Sequence, residues 1–494
     1  MDKQVNRRDF LRIMQAGMAA LLLPGAAALA KNRKKPNFIL IFADDLGYGD
    51  IAGFGIKQSR WPTPCLQRMA AEGAKLTSFY VPMPYCAPSR AAILTGRYPF
   101  RSGMVYNPCP DMGANDFGLP QSEITIAEAL KKHGYATSCI GKWHLGHIPK
   151  FLPRTQGFDE YFGILYSNDM RPVQLVENEQ VVEYPVVQAT LTKRYTDRAL
   201  DFIERNAKQD TPFFIYLPHA MPHKPLSASE EFYTPETPDD LYGDAIRELD
   251  FSIGRVLDKL KQLRIDDNTM VIFTSDNGPW FGGNAGGLRG MKMKTWEGGI
   301  RVPMLAHWPG KIPAGLVNKA PIGSIDILPT ILAAAGVPLP DDRVIDGKDI
   351  WPVLTSPTAQ TPHEALFTMY QADLAAVRSG KWKLHVRSPG KRFNWGGNWV
   401  DPRRPDGVTI IAPYEQPPAT AYPGLIGGDG PKTMMLFDIE SDPSEQHDLS
   451  KQNPDVVKRL QKLYDNMAAH IPALPPFKRT KLKRITGGKL KYDD

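Results

Sequence analysis

Cys86 is followed by Ala87, Pro88, Ser89 and Arg90. Pro88 has a fixed φ that suits the first turn of a helix. Residues 88–95 therefore read as a short helix, with Cys86 at or just before its N-terminus. Free backbone N–H groups and the positive end of the dipole would there face an anion. Arg90 adds a planar, permanently charged donor. The bland alternative is a buried structural cysteine beside a helix-capping serine. Elsewhere, Asp44, Asp45, Asp276 and Asn277 offer hard oxygen ligands as two adjacent pairs. Such a set fits Ca²⁺ or Mg²⁺. It lacks the sulfur or paired-histidine ligands that zinc usually takes. Taken alone, these carboxylates could also cap helices or sit in turns.

The elements that must position these groups are short and apolar throughout. Residues 37–43 end at Asp44-Asp45, and residues 136–141 lead to Lys142 and His144. Residues 213–218 lead to His219 and His223, and residues 269–275 lead to Asp276-Asn277. Runs of this kind suit strands buried on both faces of a parallel sheet. Helices fall between them. Thr125 and Glu128 form a capping box for a helix ending at His133-Gly134, and residues 192–207 and 241–263 have helical periodicity. The alternation predicts an α/β sandwich with helices on both faces. Ligands of such sheets bind at the carboxyl ends of the strands. Four separate strands here end in titratable or metal-ligating residues.

Cys86-Ala-Pro-Ser-Arg90 and the following Ala91-Ala-Ile-Leu-Thr-Gly-Arg97 resemble the signature of the type I sulfatases. Tyr85 departs from that pattern, where a smaller or aliphatic residue is more usual. Gly134–His144 resembles the second sulfatase signature, and Phe213–Pro225 resembles the segment that supplies the second active-site histidine. His223, before Lys224-Pro225, is the better match, and His219 is the alternative. Lys292-Met-Lys294-Thr-Trp-Glu297-Gly-Gly-Ile-Arg301 resembles the family's lysine segment. The lysine five residues before the glutamate is Lys292, with Lys294 as the alternate. Glu297 and Arg301 are expected to hold the loop. The resemblance extends through Asp346–Leu354 and Leu436–Leu449, and covers about residues 36–470.

The resemblance implies an alkaline-phosphatase-like fold. It has a large mixed, mostly parallel sheet, and a small C-terminal antiparallel sheet with a helix. It implies that Cys86 is oxidised to formylglycine by a maturation enzyme. It places the modified Cys86, Asp44, Asp45, Asp276 and Asn277 around Ca²⁺, with Mg²⁺ as second choice. The hydrate at position 86 attacks sulfur, and Lys142, Lys292 and Arg90 stabilise the sulfate oxygens. His223 protonates the leaving alcohol, and His144 takes the proton from the second hydroxyl.

The chain's formal charge is +7. Residues 1–30 hold +2 of it and Lys478–Asp494 hold +5, so the body is near neutral. A general polyanion surface is not indicated, which argues against nucleic acid as a partner. Asn6-Arg7-Arg8-Asp9-Phe10 precedes an apolar run ending Ala28-Leu29-Ala30. This reads as a twin-arginine signal, cleaved after Ala30, for export to the periplasm or beyond. The run is too short for a comfortable membrane span. Cys65, Cys86, Cys109 and Cys139 are the only cysteines. With Cys86 converted, they allow at most one disulfide, and Cys139 reads as a buried thiol.

The organisation predicted is a signal at 1–30, a catalytic domain at 31–360 and a C-terminal α+β subdomain at 361–475. A basic tail follows at 476–494. Within the subdomain, 388–432 reads as an insertion rich in Gly, Pro and aromatics. Its Trp395, Trp399, Arg403 and Arg404 suit sugar stacking and sulfate binding, which points to a sulfated carbohydrate substrate. A loop hydrophobic cluster is the alternative. Two other functions stay open. One is a phosphodiesterase or phosphonate monoester hydrolase of the same superfamily. The other is a non-catalytic binder of sulfated glycan.

Overall fold

The computed structural model describes residues 34–56, 59–109, 116–170, 173–233, 240–391 and 421–473. Residues 1–33, most of the 388–432 insertion with Trp395, Trp399, Arg403 and Arg404, and the basic tail lie outside them. The main compact body of the chain begins at Pro36.

Eleven strands form one sheet. In chain order they are β1 (Asn37–Ala43), β2 (Ala74–Tyr80), β3 (Ala136–Ile140), β4 (Glu160–Gly163), β5 (Leu175–Glu177), β6 (Gln180–Glu183), β7 (Phe213–Pro218), β8 (Thr269–Ser275), β9 (Arg301–His307), β10 (Leu316–Asn318) and β11 (Ile322–Gly323). The spatial order is β10-β2-β9-β8-β1-β7-β3-β4-β5-β6, with β11 beside β2. β8, β1, β7, β3 and β4 run parallel, while β9 and β5 are antiparallel to their neighbours. The mixed, mostly parallel sheet expected from the sequence is present.

β1 sits mid-sheet and is wholly buried. Its alternate residues feed two cores. Phe38, Leu40 and Phe42 join the core on one face, and Ile39, Ile41 and Ala43 join the other. That burial on both faces is why the strand reads as an unbroken apolar run. Helices α1 (Pro64–Glu72), α2 (Cys86–Thr95), α3 (Ile126–Lys131), α4 (Leu191–Lys208), α5 (Leu241–Gln262) and α6 (Ile327–Ala335) cover the faces. α2, α3 and α6 lie on the Phe38 side, and α1, α4 and α5 on the Ile39 side. α3 opens with the expected capping box between Thr125 and Glu128. α2 starts at Cys86, two residues before Pro88.

Four further strands form the antiparallel C-terminal sheet: β12 (Leu366–Tyr370), β13 (Asp373–Ser379), β14 (Trp382–His385) and β15 (Met435–Asp438). Helix α7 (Pro454–Ala468) packs on it. This sheet shares a core with α2 and the segments that flank it. Met83, Ala92, Tyr98 and Phe100 pack with Met369, Leu374, Leu436 and Leu460. Backbone bonds add to the join, with Met369 N donating to Pro82 O at 2.7 Å.

Among the described residues, no helix is long and apolar enough to cross a membrane. Cys65, Cys86 and Cys139 are free thiols, and Cys139 is buried as expected.

Candidate active site

Register brings the functional residues together. Ala43 lies opposite Ser275, and Phe42 lies opposite Pro218. The ladder continues past the strand ends. Asp276 N donates to Ala43 O at 3.3 Å, His219 N to Phe42 O at 2.9 Å, and Lys142 N to Pro218 O at 2.7 Å. β8, β1, β7 and β3 are neighbours, so their carboxyl ends deliver Asp276-Asn277, Asp44-Asp45, His219…His223 and Lys142…His144 to one rim. Glycine makes the rim close. Gly141, before Lys142, has φ +131, and a Cβ there would meet Pro218 O at 1.9 Å. At Gly278, after Asn277, a Cβ would meet Gly298 O at 1.8 Å.

The chain is also bent at the site. Asp45 (φ 63), His144 (φ 58) and Met293 (φ 67) adopt the left-handed region. Such backbone costs about 1–3 kcal/mol per residue and persists only where its surroundings enforce it. Asp45 is held by a bond from its N–H to Asp276 Oδ1 at 3.0 Å.

Cys86 stands at the N-terminus of α2, buried. Lys292 Nζ lies 3.2 Å from its Sγ and 2.7 Å from Asp45 Oδ1. Arg90, fully buried, donates through Nη2 to Asp276 Oδ2 at 2.9 Å and through Nη1 to Lys142 O at 2.8 Å. Lys142 Nζ bonds Asp44 Oδ2 at 2.5 Å and Ser167 Oγ at 3.0 Å. Three cations and three carboxylates thus interleave around the cysteine.

Burial pushes the Cys86 thiol well above its usual range, although Lys142 and Lys292 oppose the shift. The unmodified side chain is a neutral thiol, not an activated thiolate. Burial also opposes ionisation of Asp44, but Lys142, His223 and Arg90 outweigh it and hold that carboxyl well below its usual range. Asp276 goes the other way. Burial first, then the Asp44 charge, raise it to about 7.

The histidines carry a tautomer assignment. His223 Nδ1 lies 2.6 Å from Lys224 O and 2.9 Å from Asn168 Oδ1. Both partners accept, so Nδ1 holds the hydrogen. Nε2 is left facing Ser167 Oγ at 3.4 Å and Asp45 Oδ2 at 3.7 Å. His144 Nε2 lies 3.2 Å from Pro108 O, so it carries the hydrogen there. His144 Nδ1 keeps a lone pair and has no hydrogen bond among the described residues. Burial, then Lys142 and Arg90, push His144 well below the usual imidazole range, so it is neutral. His219 is buried with neither ring nitrogen hydrogen-bonded among the described residues, and burial lowers it to about 3. It stands behind the rim, beside Tyr195.

The oxygen set suits a hard cation. Asn277 Oδ1 is buried without a hydrogen bond among the described residues, and Asp44 Oδ1 makes no hydrogen bond there but faces Arg90 Nη2 at 3.3 Å. Oxygens of Asp44 and Asp276 lie within 4.8 Å of each other and of Cys86 Sγ, and so do a ring nitrogen of His223 and an oxygen of Asp45. A buried acceptor short of partners is costly in a dry interior, and a cation beside these oxygens would satisfy them.

The structure adds residues that motif reading missed. Asp50 is buried and accepts from Gly47 N at 2.6 Å, Asn284 N at 2.7 Å and Tyr242 OH at 2.6 Å. It clamps the loop after β1 to the loop after β8, which carry Asp44-Asp45 and Asp276-Asn277. Ser167 and Asn168 hold Lys142 and His223. The Gly47-Tyr48-Gly49-Asp50 spacing was the available signal for Asp50. Ser167 and Asn168 lie in an irregular segment with no pattern. Glu297 and Arg301 hold the loop, as expected. Glu297 bonds Tyr80 OH at 2.7 Å and Lys383 Nζ at 3.0 Å, and Arg301 Nε donates to Thr77 O at 2.7 Å. Of the two candidate lysines, Lys292 is the one that meets Cys86.

Known proteins share this arrangement of sequence and fold. The family model described as Sulfatase matches residues 36–337. The C-terminal region of aryl-sulfatase matches 361–483. N-acetylgalactosamine-6-sulfatase of Canis lupus familiaris is 37% identical, over 93% of this chain and 91% of its own length. Arylsulfatase A of Homo sapiens is 37% identical, over 90% of each. The crystal structure of Ps i-CgsB in complex with k-i-k-neocarrahexaose is similar at a TM-score of 0.71 and 29% identity, covering 89% of this chain and 94% of that one. The chain belongs to the type I sulfatase family and is a sulfuric ester hydrolase.

Proposed function

We propose that this protein removes sulfate from a sulfated carbohydrate, using Cys86 in its formylglycine form and a calcium ion held by Asp44, Asp45, Asp276, Asn277 and residue 86. The observation that carries the reading is the ring of Lys292, Lys142 and Arg90 around a buried cysteine at a helix N-terminus. The raised thiol supports the need for modification, because an unmodified Cys86 would be a poor nucleophile. The saccharide is supported by the relative that acts on N-acetylgalactosamine 6-sulfate, by its name, and by the neighbour solved with a neocarrahexaose.

When present, the calcium and formylglycine supply an activated hydroxyl as the nucleophile. The chain's own residues do the rest. Lys292, Lys142 and Arg90 neutralise the sulfate oxygens as charge develops. Burial and then Lys292 work against the imidazolium form of His223, and Asp45 favours it. In that form Nδ1–H stays on Asn168 and the Lys224 carbonyl while Nε2–H passes its proton to the leaving alcohol oxygen. His144, neutral with its Nδ1 lone pair uncommitted, takes the proton that frees sulfate. Asp50 holds the two ligand loops in register. Residues 1–30 support twin-arginine export after a maturation enzyme has acted on Cys86.

Peptide mass spectrometry across Cys86, on protein co-expressed with a formylglycine-generating enzyme, tests this. Conversion of thiol to aldehyde, with sulfate released from sulfated saccharides, is the expected result. An intact thiol, under conditions that mature a control sulfatase, would sink the mechanism and leave the binder reading. Faster cleavage of an aryl phosphate than of the matched aryl sulfate would favour the phosphoester reading.

A further inference from the structure

Tyr85 directly precedes Cys86 and is half-buried, while its neighbours Pro84 and Cys86 are buried. Its ring pairs with Tyr370, at the end of β12, with centroids 5.6 Å apart and planes at 42°. The pair is pinned from both sides. Met369 N donates to Pro82 O at 2.7 Å, and Met293 N donates to Pro84 O at 3.0 Å. The segment before the nucleophile is thus fixed between the C-terminal sheet and the Lys292 loop.

The position has a chemical consequence. Lys292 and His223, each 8% exposed, are the least buried members of the charged ring and mark its opening. The Pro84-Tyr85 segment is bonded to the Lys292 loop beside that opening, and Tyr85 stands one residue from Cys86, about 3.8 Å between Cα atoms. A sulfate seated at residue 86 puts its ester oxygen toward His223, and the alcohol's own carbons lie a few bonds farther out. A tyrosine presents an apolar face and a polar edge. A pyranose does the same, with C–H faces and hydroxyl edges. An aliphatic residue at 85, the more usual choice in the family, offers only apolar area.

We propose that Tyr85 and Tyr370 form an aromatic wall that binds the sugar ring bearing the sulfate. They select cyclic saccharide sulfates, and they make the C-terminal sheet part of the substrate site. The inference rests on the carbohydrate reading of the proposed function.

The test uses matured full-length protein, the pyranose sulfate that the wild type turns over fastest, and inorganic sulfate as a ring-free product inhibitor. Tyr85→Leu is expected to raise KM for the saccharide about tenfold, more than it lowers kcat. The inhibition constant of inorganic sulfate should move less than about twofold. Tyr85→Phe and Tyr370→Phe, which keep the rings, should recover most of the affinity. Should Tyr85→Leu fail to fold, Tyr370→Leu, on a separate element, repeats the measurement. An unchanged saccharide KM overturns the proposal. So does an equal weakening of saccharide and inorganic sulfate, which would mean general damage to the site. If matured wild type cleaves an aryl sulfate but no saccharide sulfate, the carbohydrate reading has failed before any variant is made, and the wall falls with it.

Discussion

Lys292 Nζ lies 3.2 Å from Cys86 Sγ and is simultaneously bonded to Asp45, 2.9 Å from Oδ2. Burial alone would lower its pKa, but Asp45, with Asp44 and Asp276 behind it, raises it well above the usual lysine range, so it is a fixed cation. Lys292→Met is expected to lower kcat/KM on the order of 10²–10³-fold, the effect of removing one preorganised donor. Lys294→Met should cost less than about tenfold. Steady-state kinetics on one sulfate ester compare the two. A larger loss at Lys294 would reverse the assignment.

Asp50 hydrogen-bonds neither Cys86 nor the side chains of the oxygen ligands among the described residues, yet it ties their loops together through three short hydrogen bonds. Burial raises its carboxyl to about 7 against the pull of those donors. Partners that orient metal ligands are worth about 10–100-fold in metal affinity. Asp50→Asn should weaken binding of the proposed calcium ion by that factor in titration calorimetry, and Tyr242→Phe by less. Unaltered calcium affinity with a lowered Tm would reduce Asp50 to a structural role.

Two histidines four residues apart follow β7, and they should respond differently. His219 has no hydrogen bond to lose among the described residues. Replacing such a group with an apolar one is nearly neutral. His219→Leu should stay within about 1 kcal/mol of wild-type stability and about threefold of its kcat/KM. His223→Ala should lose about 10²–10⁴-fold in kcat. Equal losses would mean that His219 also reaches the chemistry.

A buried charge network joins the Lys292 loop to the C-terminal sheet. Lys383 lies 3.0 Å from both Glu297 and Glu445, and His385 Nε2 lies 2.6 Å from Glu445 Oε1. Burial works against the Glu445 charge, but Lys383 and His385 prevail and lower its pKa to about 2. A depressed carboxyl contributes stability above its unfolded pKa of about 4.5, and that contribution is lost as pH falls toward about 2. Glu445→Gln should destabilise by about 3–5 kcal/mol at neutral pH. Denaturant titrations should show the gap from wild type closing below about pH 4.5. A gap independent of pH would mean that packing, not charge, is what Glu445 supplies.

The apolar runs before Asp44, Lys142, His219 and Asp276 already predict buried parallel strands with chemistry at their ends. That legibility is local, because burial on both faces forbids polar residues and shows up as composition. The cysteine signature, the oxygen pairs and the capping box at Thr125 are likewise readable, since each depends on spacing within one segment. Tertiary structure alone decided the rest. Whether Lys292 or Lys294 reaches Cys86 depends on the turn at Met293 with φ 67. Whether His219 or His223 faces Asp45 depends on where the chain turns after β7. Asp50, Asn168 and Tyr370 join the site through contacts spanning 55 to more than 200 residues of sequence. Such partners are chosen by register between strands and by what the packed core leaves space for, and no pattern along a single segment records either.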